Sequence, residues 1–179
     1  TGPIPDGFTG LTDLEILNVG DNLLSGPLPV GLEALPLLSL FILGNNNLSG
    51  NVPEDLWGAF PQAETFHVED NFFEGTIGTE IGQLTSVVDF RAHLNNFRGP
   101  IPTQVGLMQS LQYMDLSSNE LTGQIPSNFG ALANLRTVMT MPFCRKKKDS
   151  VVENPSCTEA KWWVKLTSVP NKLARQCDT

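Results

Sequence analysis

The chain has no apolar run long enough to cross a bilayer. Its longest, Leu35–Leu38 and Leu40–Leu43, fall far short of the roughly 20 residues a spanning helix needs. Positive charge is scarce. As far as Phe143 only Arg91, Arg98 and Arg136 stand against 15 Asp and Glu, while the remaining residues carry a net positive balance. An acidic body repels nucleic acid and anionic lipid at long range, which disfavours both as partners. The basic run Arg145-Lys146-Lys147-Lys148 is short enough to read as a solvated loop. No nucleophile with its base, phosphate loop or dinucleotide fingerprint is present, so no cofactor is expected and catalysis has little support. No secretory signal precedes Thr1. The sequence opens inside a motif, so its start reads as a truncation or a processed end.

What is present is repetition. Five segments superimpose on one asparagine: LEILNVGDNLLSGPLP from Leu14, LSLFILGNNNLSGNVP from Leu38, AETFHVEDNFFEGTIG from Ala63, VVDFRAHLNNFRGPIP from Val87 and LQYMDLSSNELTGQIP from Leu111. The asparagines, Asn22, Asn46, Asn71, Asn95 and Asn119, are spaced by 24, 25, 24 and 24 residues, the extra residue falling within Leu56–Phe60. Gly2-Pro3-Ile4-Pro5 and Phe8 match the tail of a preceding copy. Leu135 to Val138 begin a sixth copy that fails at Thr140 and Phe143.

Each part of the unit has a physical reason. Leu14, Leu17 and Val19 alternate inward, as a short strand with one buried face requires. Copies stacked side by side then form a parallel sheet with strands about 4.8 Å apart. The asparagine amide both donates and accepts, so it can serve backbone groups of its own turn and of the next coil. Gly26, Gly50, Gly75, Gly99 and Gly123 allow the following bend; Pro29, Pro53, Pro102 and Pro126 fix the next corner, with Gly78 as the exception. No single unit buries its apolar face alone, so stability is a sum over neighbouring interfaces.

The unit LxxLxLxxNxLxGxIPxxLGxL resembles the plant-type leucine-rich repeat of receptor-like kinase ectodomains, polygalacturonase-inhibiting proteins and secreted algal relatives. The resemblance covers residues 1–140. It implies an α/β solenoid: a right-handed superhelix with a parallel concave β-sheet and a convex side of irregular chain or short 3-10 helices. It also implies a secreted or extracellular setting and ligand recognition on the strand-bearing face. The usual cysteine-bearing amino-terminal cap of the family is missing, and so are a kinase and a membrane span.

Residues 141–179 read as a capping segment. Ser156-Cys157-Thr158-Glu159 suits a capping box, and Ala160 to Leu166 then a short helix carrying Trp162 and Trp163, stopped by Pro170. All three cysteines lie here, without zinc-type spacing, so no metal site is expected. A disulfide is expected instead, with Cys144 and Cys177 closing the segment as one loop. Cys157 is then left free or paired beyond Thr179. Asn47-Leu48-Ser49 is the one glycosylation sequon.

Strand alignment places outward side chains in columns. The central column is Asn18, Ile42, His67, Arg91 and Asp115; beside it run Gly20, Gly44, Glu69, His93 and Ser117, then the rim Asp21, Asn45, Asp70, Leu94 and Ser118. On the other side lie Ile16, Leu40, Thr65, Asp89 and Tyr113. Titratable groups gather on coils three to five. Three readings compete for them: a solvated face with Arg91 paired to Asp115 and His93 to Glu69, a recognition surface, and a metal or catalytic site. Arg91 sits among the histidines and would repel a cation, which weakens the third. The leading expectation is a non-catalytic module binding a protein or peptide through His67, Glu69, Asp89, Arg91, His93, Tyr113 and Asp115. The carboxylates outnumber the arginine, so a basic partner is favoured. The alternative is a piece of the ectodomain of a membrane receptor.

Overall fold

In a computed structural model, the described residues are 1–140 together with the backbone of Trp163 and Val164. The alternating apolar positions form one three-residue strand per coil: β1 (Ile16–Asn18), β3 (Leu40–Ile42), β5 (Thr65–His67), β7 (Asp89–Arg91), β9 (Tyr113–Asp115) and β11 (Thr137–Met139). They pair in parallel, in the order given, through register pairs such as Ile42↔His67 and His67↔Arg91. The return side holds 3-10 turns, Asp6–Gly10, Leu32–Ala34, Glu54–Gly58, Thr79–Gln83, Thr103–Leu107 and Ser127–Ala131. Every strand centre, from Leu17 to Val138, is buried against these turns in one continuous core. This is the α/β solenoid that the repeat demands.

A second parallel sheet was not anticipated from the sequence. It comprises β2 (Ser25–Gly26), β4 (Asn47–Asn51), β6 (Phe72–Thr76), β8 (Asn96–Pro100) and β10 (Glu120–Thr122), lying just after the asparagine of each coil. The asparagine is what couples the two sheets. Asn71 is 2% exposed; its Oδ1 accepts from the Leu48 N–H at 2.9 Å, and its Nδ2 donates to Leu43 O at 3.1 Å and Glu69 O at 3.0 Å. Asn46, Asn95 and Asn119 repeat the pattern. The bridge therefore runs back to the preceding coil, not on to the next one. The reason is geometric: the turned-in amide faces the N–H and C=O that the earlier coil has already laid down. The side chain of Asn22, in the first full coil, donates to Val19 and Gly20 of its own turn.

The odd features of coil three have a single cause. Trp57 is fully buried and stacks with Phe66 at 6.0 Å between ring centroids and edge-on to Phe97 at 5.4 Å. Its indole fills the space where a β-carbon at Gly78 would sit, 2.5 Å from Cδ1. A proline there would collide with the ring, which explains why the corner proline is replaced in this copy. Phe41, Phe60, Phe66 and Phe90 continue the ring cluster at centroid spacings of 4.9–5.2 Å.

The expected helix over Ala160–Leu166 is not what the chain forms at its centre. Trp163–Val164 is a strand, β12, pairing antiparallel with β11 through Val138↔Val164 and Met139↔Trp163. The free edge of β11 offers unpaired backbone donors and acceptors, and a Trp-Trp-Val stretch has the β preference to meet them. Cys144, Cys157 and Cys177, and with them the expected Cys144–Cys177 disulfide, lie outside the described residues.

Candidate functional site: the face of the seven-stranded sheet

The register places the outward columns as the sequence implies: Asn18, Ile42, His67, Arg91 and Asp115 align across five strands, and Ile16, Leu40, Thr65, Asp89 and Tyr113 align beside them. Successive side chains on a strand point to opposite faces, so the buried Phe66, Phe90 and Met114 hold His67, Arg91 and Asp115 outward. The frame beneath the site is aromatic and rigid.

The ion pairs differ from those expected. Arg91 does not pair with Asp115. It grips Asp89 of its own strand, with Nη2 donating to Oδ2 at 2.8 Å and Nε to Oδ1 at 3.1 Å. Residues two apart on a strand share a face, and this fork needs no cross-strand reach. Asp115 is meanwhile occupied: the Ser117 hydroxyl donates to its Oδ1 at 2.6 Å, the Ser117 N–H at 2.9 Å, and the Tyr113 hydroxyl to Oδ2 at 3.4 Å. His93 turns to Asp115 at 3.5 Å rather than to Glu69, and His67 Nε2 lies 3.3 Å from Asp89 Oδ2. Neither histidine contact has hydrogen-bond alignment, so both nitrogens are buried without a partner. The Arg91 guanidinium lies over the Tyr113 ring, 5.2 Å from its centroid.

The result is one connected network, His67–Asp89–Arg91–Tyr113–Asp115–His93, across three coils. The hydrogen bond to Asp89 raises the Arg91 pKa above its ordinary value, against a smaller opposing effect of burial. Burial, then the neighbouring Asp115, raises that of Tyr113. Glu69 stands apart. It is 9% exposed, its carboxylate lies over Gly44 of the preceding coil, and its Oε2 has no hydrogen-bond partner. Sequence reasoning named all seven of these residues as site candidates and placed Ser117 and Gly44 in the adjoining column, but gave no role to Ser117, the clamp on Asp115, or to Gly44, the floor under Glu69. A glycine beside Glu69 in the aligned column was the available signal. Among the described residues no group of three or more His, Cys, Asp or Glu is placed to hold a metal ion.

Comparison with known proteins follows the same line. The Leucine Rich Repeat family model matches residues 110–132. No curated protein sequence matches. Among solved structures, the chain is similar to the Arabidopsis receptor kinase HAESA, solved with the peptide hormone IDA and the co-receptor SERK1: 31% identity, TM-score 0.74, covering 79% of this chain and 24% of that one. PEPR1 in its AtPEP1 structure gives 28% identity and TM-score 0.74, over 79% of this chain and 20% of that one. A plant ice-binding protein gives 27% and 0.67, over 78% and 44%. The chain thus spans about a quarter or less of the length of these two receptors. Asparagine-bridged coils of 24 residues with strands on one face define a class, the leucine-rich-repeat solenoids. This chain is a leucine-rich-repeat protein of the plant type.

Proposed function

We propose that the chain is a non-catalytic, extracellular binding module that takes a protein or peptide of basic character on coils three to five of its strand-bearing face. The observation that carries this reading is the preorganised network on that face. Arg91 and Tyr113, residue types that often anchor interfaces, are fixed by Asp89 and Asp115 before any partner arrives. Glu69, Asp70, Asp89 and Asp115 outnumber Arg91 around them, so a basic partner gains on approach. The similarity to a receptor kinase solved with a peptide hormone points the same way. Asn47 is exposed at the start of β4, on the second sheet, so a glycan on its sequon would leave the network open.

A second reading, that the chain is part of a membrane receptor's ectodomain, is favoured by the small fraction it spans of the receptors it matches. Flanking coding sequence containing a membrane span and kinase would establish it. An ice-binding role has less support. The repeat-equivalent positions Ser25, Ser49, Glu74, Arg98 and Thr122 on the second sheet are chemically irregular, and Arg98 pairs with Glu74 at 3.5 Å.

The test is capture of a partner from the native extracellular fluid, followed by affinity measurement on variants. Arg91→Ala and Tyr113→Ala should each cost more than about 1 kcal/mol of binding. If only Trp163→Ala weakens binding while the fold is intact, the terminal segment is the binding site and the concave face is not.

A further inference from the structure

Coils one and two of the same face carry no charge in their central columns, yet they adjoin a carboxylate that is buried among the described residues without a hydrogen-bond partner on Oε2. Ile16 is 55% exposed, Leu40 is its register neighbour on β3, and Ile42 follows two residues on. Ile42 leans back over Gly20, since a β-carbon there would meet its Cγ2 at 3.2 Å. Glu69 leans back one coil further along, over Gly44, where a β-carbon would meet Oε1 at 2.5 Å and Cδ at 2.6 Å. The two glycines thus form a trough, and one side chain from each following coil lies down in it.

A carboxylate nine-tenths buried with Oε2 unpartnered is costly in isolation. The one cation of the described strand columns, Arg91, has committed Nε and Nη2 to Asp89. Among the described residues no Lys or Arg hydrogen-bonds this carboxylate, so its charge suits a cation carried by a partner. The apolar ledge beside it says what accompanies that cation. Gly44, beneath the carboxylate, is two residues beyond Ile42, or about 7 Å along extended chain. Two residues is also the spacing at which side chains of an extended peptide return to the same face.

We propose that Glu69 over Gly44, with the ledge Ile16–Leu40–Ile42, forms a two-part subsite. It takes a basic and an apolar side chain two residues apart in an extended peptide. This rests on the peptide-binding reading above but moves part of the footprint to the first two coils. The basic group forms a charge-assisted hydrogen bond with the Glu69 carboxylate, and the apolar side chain covers Ile42.

The probes are three capped peptides: Leu-Ser-Arg, its rearrangement Ser-Leu-Arg, and the uncharged Leu-Ser-Gln. Each is titrated against the isotopically labelled full chain by NMR. Leu-Ser-Arg should bind about tenfold more tightly than either control, the size expected of one hydrogen bond to a buried charge. Glu69→Gln should erase its advantage over Leu-Ser-Gln, and Ile42→Ser should erase its advantage over Ser-Leu-Arg. Chemical-shift changes should centre on Gly44, Glu69 and Ile42. Equal affinities, no binding, or indifference to Glu69→Gln would each overturn the subsite. The wider reading is judged separately, by partner capture on Arg91→Ala and Tyr113→Ala. Loss there with no effect of Glu69→Gln leaves peptide binding standing and removes only the subsite.

Discussion

Replacing Asn71 by alanine separates the cost of one side chain from that of the coil it stitches. The Leu48 N–H, buried on the previous coil, has the Asn71 oxygen as its acceptor at 2.9 Å. The three carbonyls that take the amide protons are better provided for. Leu43 O also accepts from Asn46, Val68 O from Asn95 and Glu69 O from the Asn45 N–H. Asn71→Ala thus strands one buried donor outright and weakens three acceptors, a loss of about 1 to 3 kcal/mol. Asn71→Asp keeps the acceptor for Leu48 but turns a second carboxylate oxygen toward the carbonyls. It should be at least as damaging at neutral pH and recover partly in acid, where a protonated carboxyl donates again. Asn22→Ala serves as the control, because Asn22 is exposed and its side-chain amide donates within its own turn, and should cost less than about 0.5 kcal/mol. Urea unfolding with a common m-value reads all three. Should Asn71→Ala fall within 0.5 kcal/mol or so of Asn22→Ala, the amide is not the stitch that its bonds describe.

Trp57→Ala, which removes a fully buried ring packed on Phe66 and Phe97, should cost about 3 to 5 kcal/mol in the same assay. Tyr113, whose pKa is raised in the folded chain, favours its neutral form there. Its contribution is complete below about pH 10 and is lost as pH rises through the raised value, so alkaline destabilisation should be shallower in Tyr113→Phe than in the parent. Leu94 holds a left-handed backbone at φ 54, a conformation that costs most residues about 1 to 2 kcal/mol. Leu94→Asn should accordingly raise the unfolding midpoint, and a lowered one would mean that its side-chain packing outweighs the strain.

The parts of this molecule that repeat were legible in its sequence, because a residue recurring every 24 positions reports a role in every coil. Leu17, Phe41, Phe66, Phe90 and Met114 could be placed in the core for that reason, and the outward columns followed from them. Pairings on those columns were not legible. Asp89 and Asp115 are equally near Arg91 in alignment, and the choice depends on Ser117 having occupied Asp115. Nor was the direction of the asparagine bridge, since an amide at a turn can face either neighbour. The Trp57–Gly78 exchange connects residues 21 apart in different copies, so each looks like an isolated irregularity until packing brings them together. At Trp163 the local signals favoured a helix, and the pairing demand of the β11 edge prevailed.

The ring cluster has a mechanical consequence. Phe41, Phe66 and Phe90 belong to three successive coils, and Trp57 touches the rings of two of them and Phe97 besides. The strands flanking these three contribute Leu17 and Met114 to the core instead of rings. Under tension applied through its ends, such a chain should not unravel at a steady rate. The outer coils yield first, each paying out about 80 Å of extended chain for its 24 or so residues. The three ring-bearing coils then hold as a block and release together at a higher force, giving the solenoid a built-in stop partway along its length.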